Sequence, residues 1–143
     1  IPVDPGNVQV PDWSPERYVP PGFTDFTYDN LGVPKSDHKR VPGAPGDLGL
    51  GPVVGDFEEN GKFKVMTLRN IGLTAPYAHN GFFAGPEALK TITHFYNTRD
   101  VDGAGWDDPE VPETINVDEL GNLGLTDAEE NALVAFMMML SDQ

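Results

Sequence analysis

The chain is organised around residues 61–97, GKFKVMTLRNIGLTAPYAHNGFFAGPEALKTITHFYN, which we call the central segment. It contains the densest set of aromatic and polar side chains, including His79 and His94, two of the three histidines. Its middle, residues 68–81, is interrupted by glycine and proline, and this excludes a long helix or a regular strand. A loop this apolar must wrap around something, so we expect the rest of the chain to support it.

A helix is predicted at the end of the central segment. Gly85 offers a flexible N-cap and Pro86 suits the first helical position. Apolar side chains then recur at helical spacing, at Leu89, Ile92 and Tyr96. We therefore expect a helix over residues 86–97 that packs one face inward.

The last element has the clearest pattern. Residues 126–129, Thr-Asp-Ala-Glu, form a capping box, which is typical of a helix N-terminus. The apolar stripe that follows consists of Leu133, Phe136, Met137 and Leu140. These features predict a helix over residues 126–141.

The other segments are predicted to be short or irregular. Alternation of charged and apolar residues over 62–66 indicates a short extended segment, and residues 23–34 contain three aromatics that favour packing. Residues 36–52 and 100–122 are rich in glycine, proline and charge, which predicts surface loops. Residues 1–22 contain closely spaced prolines and are predicted to form an extended arm, with residues 23–143 as the domain. Trp13 and Tyr18 favour an arm pinned against another surface, although a flexible terminus explains the same composition.

Composition limits the possible partners. The chain has 23 acidic and 9 basic residues, and its net charge of −14 disfavours nucleic acid and anionic lipid and favours a basic protein partner. No apolar run is long enough to span a bilayer. With 16 Gly and 14 Pro, the domain should be loop-rich. There is no cysteine, which excludes disulfides and thioether-linked haem within this chain.

Common catalytic motifs are missing from the sequence. No two histidines have the helical i, i+4 spacing of a zinc protease, and there is no nucleophile elbow, phosphate-binding glycine loop or calcium-binding EF-hand loop. The residues alone therefore indicate a loop-rich domain with one unusual polar and aromatic loop.

The motif KFKVMTLRNIGLTAPYAHNGFF, residues 62–83, resembles the C-terminal haem domain of bacterial di-haem cytochrome c peroxidases and their MauG-like relatives. The resemblance extends to FTDFTYDNLGVP at residues 23–34 and to GLTDAEE at residues 124–130. It implies an all-α, loop-rich, class I cytochrome c-like domain.

The resemblance also implies a function. It suggests part of a periplasmic oxidoreductase that contains haem c and calcium. This enzyme would reduce hydrogen peroxide, or oxidise a protein substrate through a high-valent haem as MauG-like proteins do. The alternative is a non-catalytic electron-transfer or binding module that has lost haem.

The missing cysteines are the main departure from the family, whose members attach each haem through a Cys-x-x-Cys-His motif. We expect that motif on a partner chain or an N-terminal fragment, with Ile1 following shortly after it. Loss of haem is the less favoured explanation, because it would leave the aromatic loop with nothing to cover.

In the resemblance, Tyr96 occupies the position of the distal axial ligand of the haem iron. Peroxidases usually have methionine there and MauG-like proteins have tyrosine, whose anionic oxygen stabilises ferric iron. Periodicity alone would make Tyr96 a core aromatic, and Tyr77 is the rival candidate for the ligand.

The remaining site residues also follow from the resemblance. His79 matches a loop histidine near the haem pocket, where it would bind a propionate, transfer a proton as a catalytic residue, or only stabilise the loop. Arg69 matches an arginine near the propionates, with a loop salt bridge as the alternative. The backbone carbonyls of Thr74 and Pro76 match calcium ligands.

Overall fold

The computed structural model describes residues 22–36 and 46–142 of the chain. In these ranges the elements are β1 (Tyr28–Asp29), α1 (Gly51–Val54), β2 (Phe63–Lys64), α2 (Ala88–Thr98) and α3 (Asp127–Met139), with 3₁₀ turns at Phe57–Glu59 and Ile71–Leu73. Irregular loops connect these short elements, as the glycine and proline content predicts.

Helix α3 begins where the capping box places it. The Thr126 hydroxyl accepts a hydrogen bond from the backbone N–H of Glu129, whose carboxylate accepts one from the backbone N–H of Thr126. The predicted apolar stripe is only partly covered, because Met137 packs against the core while Leu133 and Phe136 remain 43% and 44% exposed. The helix also ends at Met139, two residues earlier than predicted.

Helix α2 forms close to its predicted position. It begins at Ala88 with Glu87 as N-cap, so Pro86 lies in the turn before the helix and is not its first residue. Leu89 is buried, and Ile92 and Tyr96 are partly buried against the core, as their spacing predicts.

The prediction of an all-α domain is wrong, because β1 and β2 form a two-stranded antiparallel sheet. Tyr28 pairs with Lys64 and Asp29 pairs with Phe63. The extended segment at residues 62–66 was predicted, but its hydrogen-bonding partner was not. An extended strand leaves its N–H and C=O groups unpaired, and which distant segment pairs with them depends on the tertiary fold.

The core lies between the central segment and α2. Its buried hydrophobic residues are Val33, Tyr77, Phe83, Ala88, Leu89 and Phe95. The rings of Phe83 and Phe95 lie 5.1 Å apart, and the Trp106 ring packs edge-on against both. This aromatic packing holds the end of the central loop against α2.

Asn30 joins the segment after β1 to the acidic loop of residues 100–122. Its buried side chain donates hydrogen bonds to the carbonyl of Val111 and the hydroxyl of Thr114, both at 2.9 Å. Gly61 passes so close that a Cβ there would lie 2.5 Å from the Asn30 amide, and its φ of 75° also favours glycine.

Arg99 fastens the C-terminal end of α2. Its guanidinium, only 5% exposed, donates hydrogen bonds of 2.8 Å to the carbonyls of Leu31 and Asn116 and forms an ion pair with Asp100. Arg99 thus attaches the acidic segment of residues 100–122 to α2. This segment is irregular, as predicted.

Two predicted regions cannot be compared with the structure. The proline-rich arm, except Gly22, and the basic residues of the loop after Ser36 lie outside the described residues. Within 22–36 and 46–142, no helix has the length and apolarity needed to cross a bilayer.

Candidate functional site

A cavity of about 680 Å³ lies between the central segment, the small sheet and α2. Its wall is mostly apolar and includes Val33, Ile71, Ile92 and Val111. The structure also places in this wall the predicted site residues Thr74, Pro76, Tyr77, His79 and Tyr96. A largely apolar cavity with a few converging polar groups is the usual form of a cofactor site.

Tyr96 lies on α2 and is partly buried in the cavity wall. No residue in the described part of the chain forms a hydrogen bond with its hydroxyl. Burial, together with the negative charge of Asp29, raises the pKa of Tyr96 to about 12. Tyr96 is therefore a protonated phenol whose oxygen has no partner in the described chain.

Tyr77 also lies in the cavity wall, but its hydroxyl is already bound. The phenol donates a hydrogen bond of 2.5 Å to the carbonyl of Ile71, and the backbone pairs with that of Phe83. Burial raises the pKa of Tyr77, so the proton that makes this bond is firmly held.

His79 is held from two sides. Its Nε2 atom lies 3.0 Å from a carboxylate oxygen of Glu110, and both side chains are only 14% exposed. The Phe63 ring stacks on the imidazole, with 3.8 Å between ring centroids and 8° between the planes. His79 and Glu110 both line the cavity.

Glu110 was not predicted as a site residue. In the sequence it is one acid among many in the loop of residues 100–122, and only its position between Pro109 and Pro112 next to an apolar valine distinguishes it. In the structure its backbone N–H donates to the carbonyl of Val33 at 2.9 Å, which brings the loop to the cavity.

Asp29 is a second polar residue of the cavity that the sequence did not reveal. Its carboxylate accepts hydrogen bonds of 3.0 Å from the side-chain amide of Asn116, which comes from the acidic loop. Asp29 therefore places a fixed negative charge in the same cavity as the Tyr96 phenol.

Of the remaining predicted site residues, two line the cavity and one does not. Arg69 is exposed and is not part of the cavity wall. Thr74 and Pro76 lie in the wall at an exposed turn, and their carbonyls accept no hydrogen bond within the described ranges.

Comparison with known proteins identifies relatives of this chain. The MauG protein of methylamine utilization from Paracoccus denitrificans is 37% identical over 138 residues, which cover 85% of this chain and 35% of that protein. The cytochrome-c peroxidase IdrP2 of Pseudomonas sp. strain SCT is 35% identical over 98 residues, covering 68% of this chain and 22% of that protein. The chain thus spans about a third of the length of these relatives or less. No model of a protein family matches it.

A solved structure supports the same relationship. The crystal structure of a MauG-like protein associated with microbial copper homeostasis superposes with a TM-score of 0.60 and 28% sequence identity. The superposition covers 83% of this chain and 36% of that one. Sequence and fold agree, and the chain belongs to the family of the di-haem cytochrome c peroxidases and MauG-like proteins.

Proposed function

We propose that this chain forms one wall of a haem site in a di-haem oxidoreductase. The whole enzyme would reduce hydrogen peroxide or oxidise a protein substrate in the way that MauG-like proteins do. The observation that carries this proposal is the Tyr96 hydroxyl, which lies in the wall of an apolar cavity without a hydrogen-bond partner in the described chain.

The cavity suits a haem in size and polarity. Its volume of about 680 Å³ lies within the usual range for cofactor pockets, and its apolar wall matches the faces of a macrocycle. The Tyr96 hydroxyl has no hydrogen-bond partner in the described chain, so it is available to a ligand in the cavity. When bound, haem would supply the electron-transfer chemistry that the two-electron reduction of peroxide requires.

Tyr96 is the residue that would hold the haem iron. A phenol with a pKa of about 12 keeps its proton at neutral pH unless a cation replaces that proton. Ferric iron is such a cation, and it favours an anionic oxygen ligand. Tyr77 suits this role less well, because its proton is already donated to the Ile71 carbonyl.

The attachment of haem would depend on a partner chain or segment that contains Cys-x-x-Cys-His, because this chain has no cysteine. Assembly with such a segment in the periplasm would supply a histidine as a further ligand of the haem iron, in addition to Tyr96. The net charge of −14 favours a basic redox protein as a further partner.

A calcium ion is proposed beside Thr74 and Pro76. Their backbone carbonyls accept no hydrogen bond in the described ranges, and carbonyl oxygens are ligands that calcium prefers. No cluster of three or more His, Cys, Asp or Glu side chains in these ranges could hold a metal ion. The further ligands would therefore be carbonyls, waters or groups from a partner.

The proposal is tested by substituting Tyr96 in the assembled protein. Tyr96→Phe keeps the ring but removes the oxygen, so the visible and electron paramagnetic resonance spectra of the ferric protein should change. Tyr96→Met should raise the reduction potential, because a thioether favours ferrous iron. Tyr77→Phe is the matched control and should leave the spectra unchanged.

Two results would contradict the proposal. An unchanged ferric spectrum in Tyr96→Phe would show that Tyr96 is only a packing residue. Purified assembled protein that contains no haem by pyridine haemochrome assay would instead support the non-catalytic binding module.

A further inference from the structure

We infer that Glu110 is a positioning residue for His79, which keeps the imidazole proton on Nε2 and leaves Nδ1 as the acceptor for a neutral donor in the cavity. This inference rests on the proposed function, since it specifies how His79 would take part in proton transfer there. It adds a residue from the acidic loop of residues 100–122 to the site.

The tautomer follows from the chemistry of the two groups. An ionised carboxylate can only accept a hydrogen bond, so the Nε2 atom 3.0 Å from Glu110 must carry a proton. Nδ1 of His79 makes no hydrogen bond within the described chain. In the neutral imidazole, Nδ1 therefore carries the lone pair.

The ring is also prevented from turning. Phe63 stacks on the imidazole nearly parallel to it, and the side chain of His79 is only 14% exposed. A half-turn of the ring would put Cε1 in the place of Nε2 and break the bond to Glu110. Stacking and hydrogen bonding therefore support the same orientation.

Glu110 is itself held in place before any ligand binds. Its backbone N–H donates to the carbonyl of Val33 at 2.9 Å, next to the bridge between Pro34 and Pro109. The Asn80 amide donates to the Pro34 carbonyl at 2.9 Å and lies 3.4 Å from the carboxylate oxygen that faces His79. The acceptor is therefore preorganised, as a positioning residue must be.

The charge of Glu110 limits which molecules His79 can bind. The pair is anionic when the imidazole is neutral, and it has no net charge when the imidazole is protonated. In neither state does it offer the positive charge that would attract a haem propionate or another anion. The pair instead suits a neutral hydrogen-bond donor such as water or hydrogen peroxide. A proton accepted at Nδ1 would give an imidazolium that is paired with the Glu110 carboxylate 3.0 Å from Nε2.

The test compares Glu110→Gln with Glu113→Gln in the assembled protein. Glu113 is an exposed acid of the same loop, so it controls for the loss of one negative charge. Nitrogen-15 chemical shifts of labelled histidine, assigned with a His79→Gln variant, report which ring nitrogen carries the proton. Wild type and Glu113→Gln should show Nε2–H alone, and Glu110→Gln should show a mixture of tautomers or the Nδ1–H form.

A kinetic readout accompanies the shifts. Glu110→Gln should lower kcat for peroxide-dependent oxidation about tenfold or more while KM changes little, and Glu110→Asp should restore part of the loss. If Glu110→Gln does not fold, Asn80→Ala, which removes the second contact to the carboxylate, is used in its place and should give a smaller change in the same direction.

The outcomes separate this inference from the proposed function. An Nδ1–H tautomer in the wild type, or a Glu110→Gln protein with wild-type shifts and kcat, overturns the positioning role. Protein without haem that still shows Nε2–H in the wild type and a mixture in Glu110→Gln supports the positioning of His79 while the haem function fails.

Discussion

The amine of Lys90 in α2 lies 2.7 Å from the carboxylate of Glu130 in α3, whose side chain is only 3% exposed. The same carboxylate accepts hydrogen bonds from the side chains of His94 at 2.8 Å and Asn97 at 2.7 Å. Three donors on one face of α2 thus converge on one buried anion of α3. Because α2 also carries Tyr96, this network fixes the helix that presents the phenol to the cavity.

The Glu130 network makes stability depend on pH. Burial alone would raise the pKa of Glu130, but hydrogen bonds from Lys90, Asn97 and His94 outweigh it and lower the pKa to about 2. Since the pKa is lower in the folded state than the ordinary 4.5, the stabilisation is fully present above about pH 5 and is lost as the pH falls towards 2.

Glu130→Gln should therefore lower the free energy of unfolding at neutral pH by roughly 1–3 kcal/mol. The substitution should also make the free energy of unfolding depend less on pH between about pH 5 and pH 2. Denaturant unfolding at a series of pH values measures both effects, with the exposed Glu113→Gln as control. A pH profile as steep as that of the wild type would show that Glu130 does not titrate with unfolding.

Tyr77→Phe should destabilise the core without altering the cofactor site. The substitution removes the donor to the Ile71 carbonyl, which should lower the free energy of unfolding by about 1 kcal/mol. Tyr28→Phe is the control, since Tyr28 is 45% exposed and its hydroxyl has no hydrogen bond within the described ranges. Equal stability of the two variants would mean that the Tyr77 hydrogen bond contributes nothing.

Removal of calcium should loosen the turn that contains Thr74 and Pro76. An ion that binds only the folded state raises the melting temperature, so chelation of the assembled protein should lower Tm and activity. Calcium should restore both more effectively than magnesium, which prefers a smaller and more rigid octahedral site. If protein shown by elemental analysis to be metal-free keeps its Tm, activity and spectrum, the calcium proposal is wrong for this protein.

Local patterns in the sequence were enough to predict the two longer helices. The capping box at Thr126 and the spacing of Leu89, Ile92 and Tyr96 act within one or two helical turns, so their effects do not need the rest of the fold. The helix starts differ from prediction by one residue at α3 and two at α2. Helix ends are set by weak and competing hydrogen bonds, which explains differences of this size.

The sequence by itself determined the loop-rich character of the chain, its family and the segment that contains Tyr77, His79 and Tyr96. Only the tertiary structure decided that β1 pairs with β2, that Glu110 meets His79 across 31 positions, and that Asn116 holds Asp29 across 87. A carboxylate among many acids has no local signal that distinguishes a solvated side chain from one held at a cavity. That distinction arises only when packing brings distant segments together and removes water from between them.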